Sequence, residues 1–271
     1  MKTKKTIGLA LGSGGAKGYA HIGVLKALEK EGIEIDYIAG SSAGALVGAF
    51  YSMYRDARKV EKILSDFNNI KTSLLDFSFN GGIIKGNKIF NFLEEELGKR
   101  HFKDLQIPFC AIATDYRTCE EVRIKHGDVA FGVRASISIP FVFDLVKCKK
   151  RELCDGGLAS PVPIQAVKDM GADVVIAVRV EDKLEEREKH DPYSMTVRSM
   201  AIMQHNLSEY ELAKSDILID PYFEGFGLLG IQKVSKGKHL EIIEKGQKEM
   251  KKKMPLLNSI LGKDVSGIYK L

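Results

Sequence analysis

A single α/β domain, with a mostly parallel sheet between helices on both faces, is the fold class that three stretches of this chain predict. Residues 6–53 read strand, glycine loop, helix, strand, sharp turn, helix, which is a βαβα unit and implies parallel strands. Asp173 to Val180 is an almost uninterrupted apolar run, the mark of a strand buried on both faces. Asn87 to Leu97 carries Ile89, Phe90, Phe92, Leu93 and Leu97 at helical spacing, as a helix covering such a sheet does. With 271 residues and 44% hydrophobic content the chain can bury one large core. One domain over 1–271 is expected, its motifs within about 6–180 and a helical part at about 194–271.

Taken in order, Thr6 to Leu11 is a short apolar strand stopped by glycines, and Ala16 to Lys30 carries Val24, Leu25 and Leu28 at helical spacing before Gly32 closes it. Ile33 to Ala39 supplies the second strand and Ala43 to Met53 a buried helix, small and apolar nearly all round. Arg55 to Phe67 and Asn87 to Leu97 are further helices, the second stopped by Gly98. Between them Lys71 to Gly86 is glycine-rich and spotted with aromatics, a surface loop able to cover a cleft. Pro108 to Thr114 is a buried strand with Glu121 to Lys125 as its hairpin partner, and Asp128 is placed to cap a helix reaching Arg134. A second hairpin is expected from Val142 to Val146 and Glu152 to Asp155, around the basic turn Lys147 to Arg151. Pro163 to Met170 is a helix and Ile217 to Asp220 a last short strand.

The charge run Glu181 to Asp191 reads as a solvated loop in preference to a lid. Met195 to Lys214 is a helix with Met200, Met203, Leu207 and Tyr210 on one stripe, which points to core packing before a gate for lipid. Lys236 to Leu261 is lysine-rich with Leu240, Ile243, Met250 and Met254 on an apolar side. A packed terminal helix is the preferred reading, and peripheral contact with an anionic membrane is the alternative.

Composition excludes several classes of function. A net charge of +5 from 41 basic and 36 acidic residues is too modest for a nucleic-acid binder. Cys110, Cys119, Cys148 and Cys154 form no CxxC pair and no ligand-like spacing with the six histidines, so neither metal nor disulfide framework is expected. A reducing, cytoplasmic setting fits that usage. The apolar run after Met-Lys-Thr-Lys-Lys is broken at once by Gly12-Ser13-Gly14-Gly15, which makes it a first strand and not a signal peptide. No stretch approaches the roughly 20 apolar residues of a membrane-spanning helix.

The chemistry is carried by Gly40-Ser41-Ser42-Ala43-Gly44, a GxSxG turn between strand and helix. In such a nucleophile elbow the glycines two before and two after the serine make room for strand and helix to meet, and Ser42 is pushed into a cleft. The earlier loop, Gly12 to Gly18, fails as a dinucleotide fingerprint because Lys17 occupies the sixth position, and it fails as a Walker loop. Its backbone amides at a helix N-terminus still suit an anion, such as the oxyanion of an acyl-transfer intermediate formed next door. For the base, His21, His101, His126, His190, His205 and His239 all lie away from the short strand-following loops where an α/β-hydrolase keeps its histidine. Asp155 does end a strand, before Gly156 and Gly157. An aspartate-glycine turn without chemistry and a catalytic carboxylate are both compatible with that local sequence.

In order and spacing, Gly14-Gly15-Ala16-Lys17-Gly18, Gly40 to Gly44, Ala135-Ser-Ile-Ser-Ile-Pro140 and Asp155-Gly156-Gly157 resemble the patatin-like phospholipases, and their compact bacterial branch most of all. The likeness covers roughly Thr6 to Val180. It implies the three-layer patatin fold, hydrolysis of acyl esters in (lyso)phospholipids or related lipids, and no cofactor. By the same likeness Ser42 is the nucleophile, Asp155 its base in a dyad without histidine, and the amides of Gly14, Gly15, Ala16 and Lys17 the oxyanion hole. The chain departs from the pattern at Ser13, where many members have glycine, at Lys17, where most have arginine, and at Ser160, where asparagine is frequent. Lysine keeps the charge of arginine and lacks its bidentate fork. A regulatory or lipid-sensing module on this fold, or an acyltransferase, is the alternative that the resemblance allows.

Overall fold

The computed structural model describes residues 4–70, 82–181, 191–223 and 237–263. In chain order its strands are β1 (Ile7–Leu11), β2 (Tyr37–Ser41), β3 (Gly82–Ile84), β4 (Phe109–Asp115), β5 (Glu121–Ile124), β6 (Phe141–Phe143), β7 (Val146–Cys148), β8 (Arg151–Asp155), β9 (Val174–Val178) and β10 (Ile217–Ile219). The helices are α1 (Tyr19–Lys30), α2 (Ala43–Tyr54), α3 (Ala57–Ile70), α4 (Asn87–Leu97), α5 (Val129–Ser136), α6 (Ile164–Met170), α7 (Pro192–Leu212) and α8 (Lys238–Ile260). The main sheet has the order β10-β9-β1-β2-β4-β8-β7, with β5 paired to the other edge of β4. Its first five strands are mutually parallel, and β8, β7 and β5 run antiparallel to their neighbours.

Strand alternation divides the core between two faces, because successive side chains point to opposite sides. Leu9, Leu11, Ile38, Phe109, Ile176 and Val178 face the layer that holds α1, α2, α3 and α8. Ala10, Ala39, Cys110, Ile112, Val175 and Ala177 face α6 and Leu212 of α7. The fold is therefore helices, sheet, helices, as expected. α8 lies along α1 at unusually close range: a Cβ on Gly23 would stand 1.9 Å from the Ile243 carbonyl oxygen, and one on Gly246 2.1 Å from that of Ala20. With Ile242, Ile243, Met250, Met254 and Leu257 buried in this contact, the apolar side of α8 is used inside the protein, and only Leu240 and Leu256 remain exposed on it.

The ends of the parallel strands and the return of β8 position the site. Ser41 is level with Ile112 across the β2–β4 pair, and β4 continues three residues further to Asp115. β8 then comes back antiparallel, Leu153 opposite Asp115 and Asp155 opposite Ala113. Because β5 takes the opposite edge of β4 over 111–114, β8 continues along the edge that β2 uses and delivers its last residue next to the end of β2.

Several expectations need correction. The second hairpin is shorter: Val146 to Cys148 pairs with β8 around the two-residue turn Lys149-Lys150, whose Lys149 has φ 54°, while Phe141 to Phe143 leaves it to pair parallel with β3. The turn falls within the expected basic stretch Lys147 to Arg151, although no Asn-Gly or Asp-Gly pair marks its two residues. Gly82 to Ile84, expected in a loop, is thus a strand, and 71–81 of that loop lie outside the described residues. On α7 the Met203 and Tyr210 side chains are 63% and 68% exposed, so half of the supposed core stripe faces outward, while Leu207 is half-buried and Met200 lines a cleft. The inward face is formed by Val197, Ala201, Gln204 and Ser208, small or polar because the loops of the site come close beneath them. In the expected charge run, 182–190, with His190, lie outside the described residues. Glu181 does not belong to a solvated loop, since its side chain is only 12% exposed.

The close helix contact yields a test. Gly246→Ala is expected to lower stability by about 1–3 kcal/mol, the usual cost of overpacking. A urea titration reads this as a lower midpoint at unchanged slope. An unchanged midpoint would mean that α8 is held elsewhere.

Candidate active site

Ser42 follows β2 directly and opens α2, at φ 53° and ψ −118°. A non-glycine residue in that region is strained by an amount of order 1–3 kcal/mol and persists only where its surroundings dictate it. Here they do. A Cβ on Gly40 would lie 2.4 Å from the Gly44 carbonyl oxygen, and one on Gly44 2.0 Å from that of Leu11, so only glycines let β2, α2 and β1 meet around the turn. The Ser42 N–H donates to Ser136 Oγ at 2.9 Å, which pins the strained residue to the end of α5.

The Ser42 hydroxyl donates to Asp155 Oδ2 at 2.7 Å. Asp155 Oδ1 accepts from the Gly157 N–H at 2.8 Å, the Asp155 N–H donates to the Ser138 carbonyl at 2.9 Å, and its own carbonyl accepts from Thr114 Oγ1 at 2.8 Å. Ser138 is held in turn by Arg134, whose buried guanidinium also donates to the Lys85 and Gly86 carbonyls at 2.6 and 3.2 Å. Gly156 fits against β4, where a Cβ would be 2.2 Å from the Ile112 carbonyl oxygen, and Gly157 lies under Gln204 of α7. Burial pushes the Asp155 carboxyl up to about 6, partly offset by the hydrogen bonds from Ser42 and Gly157.

The glycine loop after β1 sits on the start of α2, with Gly18 against Ala43. Gly15 turns at φ 55°, and Gly15–Gly18 forms one 3-10 turn. The Ser13 N–H donates to the Pro161 carbonyl and the Lys17 N–H to that of Gly14, at 2.8 and 3.2 Å. Lys17 therefore contributes its side chain, not its amide, to this wall. No hydrogen bond among the described residues uses the amides of Gly14, Gly15 or Ala16. His21 braces the loop from below: its Nε2–H donates to the Gly12 carbonyl at 2.8 Å, and burial lowers its pKa to about 4, so the ring is neutral.

Ser13, Gly14, Gly15, Lys17, Ser42 and Asp155 line one cleft, closed by Ile139, Pro140 and Leu158 and roofed by Val197, Met200, Ala201 and Gln204 of α7. Glu211 ties that roof down, accepting from Ser160 Oγ and from the Val162 N–H at 2.8 Å. The site residues expected from the sequence are thus at or beside this cleft, with Ala16 between the lining residues Gly15 and Lys17. Sequence reasoning missed Thr114, Arg134, Ser136, Ser138, Glu181, Gln204 and Glu211. The stretch from Ala135 to Pro140 did mark Ser136 and Ser138, without revealing what they hold.

The raised carboxyl has a consequence for stability. Between its unfolded value of 3.8 and about 6, the folded protein holds a proton that the unfolded chain has lost, so Asp155 costs stability as pH rises through that window, and the cost is complete above it. Asp155→Asn is expected to raise stability above pH 6 by about 3 kcal/mol at most, the free energy that corresponds to moving the carboxyl from 3.8 to about 6. The difference in Tm between variant and wild type should shrink as pH falls toward 4. A variant destabilised at pH 7 would contradict this.

Residues 9–168 match the family described as patatin-like phospholipase. An uncharacterised NTE family protein of Mycobacterium bovis is 39% identical over 173 residues, 64% of this chain and 48% of that protein. Lysophospholipase NTE1 of Coccidioides immitis is 32% identical over 181 residues, 65% of this chain and 12% of that protein. The chain therefore spans about half the length of the first relative and a small part of the second. Among solved structures, VipD from Legionella pneumophila superposes with a TM-score of 0.67 over 95% of this chain and 67% of that one, at 16% identity, which is a likeness of fold. With more than half of its length in the family match, and the elbow, glycine loop and Asp-Gly-Gly turn within it, this chain belongs to the patatin-like phospholipases.

Proposed function

We propose that the chain hydrolyses acyl esters of lipids, of the (lyso)phospholipid class, with Ser42 as nucleophile and Asp155 as its base. The observation that carries this reading is the 2.7 Å hydrogen bond from a strained serine to a buried carboxylate whose second oxygen is already fixed by Gly157. Family membership, and the name of a relative that is a lysophospholipase, support the substrate class. Ser42 Oγ attacks the ester carbonyl as its proton passes to Asp155 Oδ2. The tetrahedral oxyanion is received by the amides of Gly14, Gly15 and Ala16, and collapse expels the alcohol, which takes the proton from Asp155. Water repeats the cycle on the acyl-serine, with Asp155 again as base.

An ordinary carboxylate is a weak base for a serine hydroxyl. Burial that raises Asp155 to about 6 narrows the mismatch, and the oxyanion site stabilises the negative charge that develops on the intermediate. The apolar residues Ile139, Pro140, Leu158, Val197 and Met200 along the cleft suit an acyl chain. No described helix is long and apolar enough to span a membrane. Contact with an anionic bilayer, where it occurs, rests on lysines of α8 acting by charge, because that helix spends its apolar side on α1.

A fluorophosphonate probe is expected to label Ser42 and to fail on Ser42→Ala. Asp155→Asn should lose about two to four orders of magnitude in kcat with lysophospholipid, the scale of general base catalysis, while His101→Gln and His126→Gln keep most of it. The acidic limb of kcat/KM should lie near pH 6. Full turnover by a folded Asp155→Asn would overturn the dyad.

A further inference from the structure

Among the groups of the cleft that the proposed chemistry does not use is a carboxylate. Glu181 lies just beyond the end of β9 and lines the same cleft as Ser42 and Asp155. Its side chain is 12% exposed, yet neither carboxylate oxygen has a hydrogen-bond partner. The His205 ring nitrogen Nδ1 is 3.9 Å from Oε2, too long for a hydrogen bond, and the buried Ser208 hydroxyl, close enough to favour the carboxylate, does not reach hydrogen-bond geometry with it. Burial raises the carboxyl to about 7, against the charge of Arg179, the Ser208 hydroxyl and the charge of Lys17, which favour ionisation. A buried acceptor left unsatisfied is costly, and native structures keep such groups where something else completes them.

The placement of Glu181 along α7 says what that is. Val197, Met200 and Ala201 make the earlier part of the roof, and the polar residues Gln204, His205 and Ser208 follow. At 1.5 Å per residue, Val197 and Gln204 are about 10 Å apart along the helix. Gln204 stands over Gly157, whose amide fixes Asp155, so the reacting pair lies where the roof changes from apolar to polar. An ester held at Ser42 then has its acyl chain toward Val197 and its alcohol portion toward Glu181.

We propose that Glu181 is the acceptor subsite for the alcohol portion of the substrate, taking a hydrogen bond from a free glycerol hydroxyl or a head-group ammonium. This rests on the ester-hydrolase reading and adds a preference within it: an amphiphile with a donor close to its ester is favoured over one without. A diacyl lipid has esterified that hydroxyl, and a choline head carries no N–H, so each loses one of the two possible donors.

The test uses four short-chain, monomeric substrates: lysophosphatidylethanolamine, lysophosphatidylcholine, and the analogue of each that lacks the glycerol hydroxyl. Wild type is expected to favour donor-bearing substrates over the one with neither donor by about tenfold or more in kcat/KM. Loss of preference on removing the hydroxyl identifies that donor, and loss on changing ethanolamine to choline identifies the ammonium. In Glu181→Met the ratio should fall to within about twofold, and in Glu181→Gln, which keeps one acceptor oxygen and carries the test if the methionine variant does not fold, by at least threefold. Equal turnover of all four by wild type, or an intact preference in both variants, would overturn the subsite. Binding of ether-linked analogues, which have no ester, separates the two readings. If Ser42→Ala still hydrolyses esters as wild type does, the dyad fails; if the ether analogues bind Glu181→Met as tightly as wild type with the same preference, the subsite fails on its own.

Discussion

Asp155 is a carboxylate taken almost wholly out of water, and the site is arranged around keeping it there. An isolated charge would be prohibitive in such a place, and a carboxylate with all its lone pairs filled by donors would be a poor base. The protein takes a middle course: one oxygen accepts a backbone N–H, the other accepts only the serine hydroxyl, and the backbone on both sides of the residue is bonded to Ser138 and Thr114. The carboxyl therefore titrates well above its ordinary value without leaving its place. Reactivity and instability have one origin here, since the desolvation that makes the base stronger is the same desolvation that the fold must offset.

Much of this frame was legible beforehand, for identifiable reasons. The βαβα opening follows from short apolar runs punctuated by glycine, and the elbow from two glycines whose absent side chains are a steric requirement. Asp155 could be located but not interpreted, because an Asp-Gly turn has the same local sequence with or without a serine opposite it. What decides is the register of β8 on β4, a long-range property with no local signature. Glu181 was hidden by its company: surrounded in sequence by charged residues, it looked solvated, while the chain leaving β9 brings it into the lining of the cleft. The stripe on α7 misled in the opposite sense, since Met203 and Tyr210 have helical spacing and yet face out, displaced by smaller residues that alone fit above Gly157.

Three helices act through what they hold. α5 presents Ser136 to the Ser42 amide, and the turn after it presents the Ser138 carbonyl to the Asp155 amide, so one short element spaces the two reacting residues. Arg134 extends that control outward, tying the same turn to the carbonyls before α4. α7 is fixed to the loop beyond Asp155 through Glu211, and α8 secures α1 behind the glycine loop.

The antiparallel return of β8 also has a meaning in time. Ser42 and Asp155 are 113 residues apart in sequence, whereas the strand, loop and helix that strain Ser42 are neighbours in the chain. Contacts of short range form early and those of long range late, because each must first close a loop. The nucleophile's corner can therefore assemble while the carboxylate is still elsewhere, and the hydroxyl gains its proton acceptor only when the last antiparallel pair zips onto β4. Until then the chain carries an inert serine, so competence for chemistry arrives with the docking of β8 and serves as its marker.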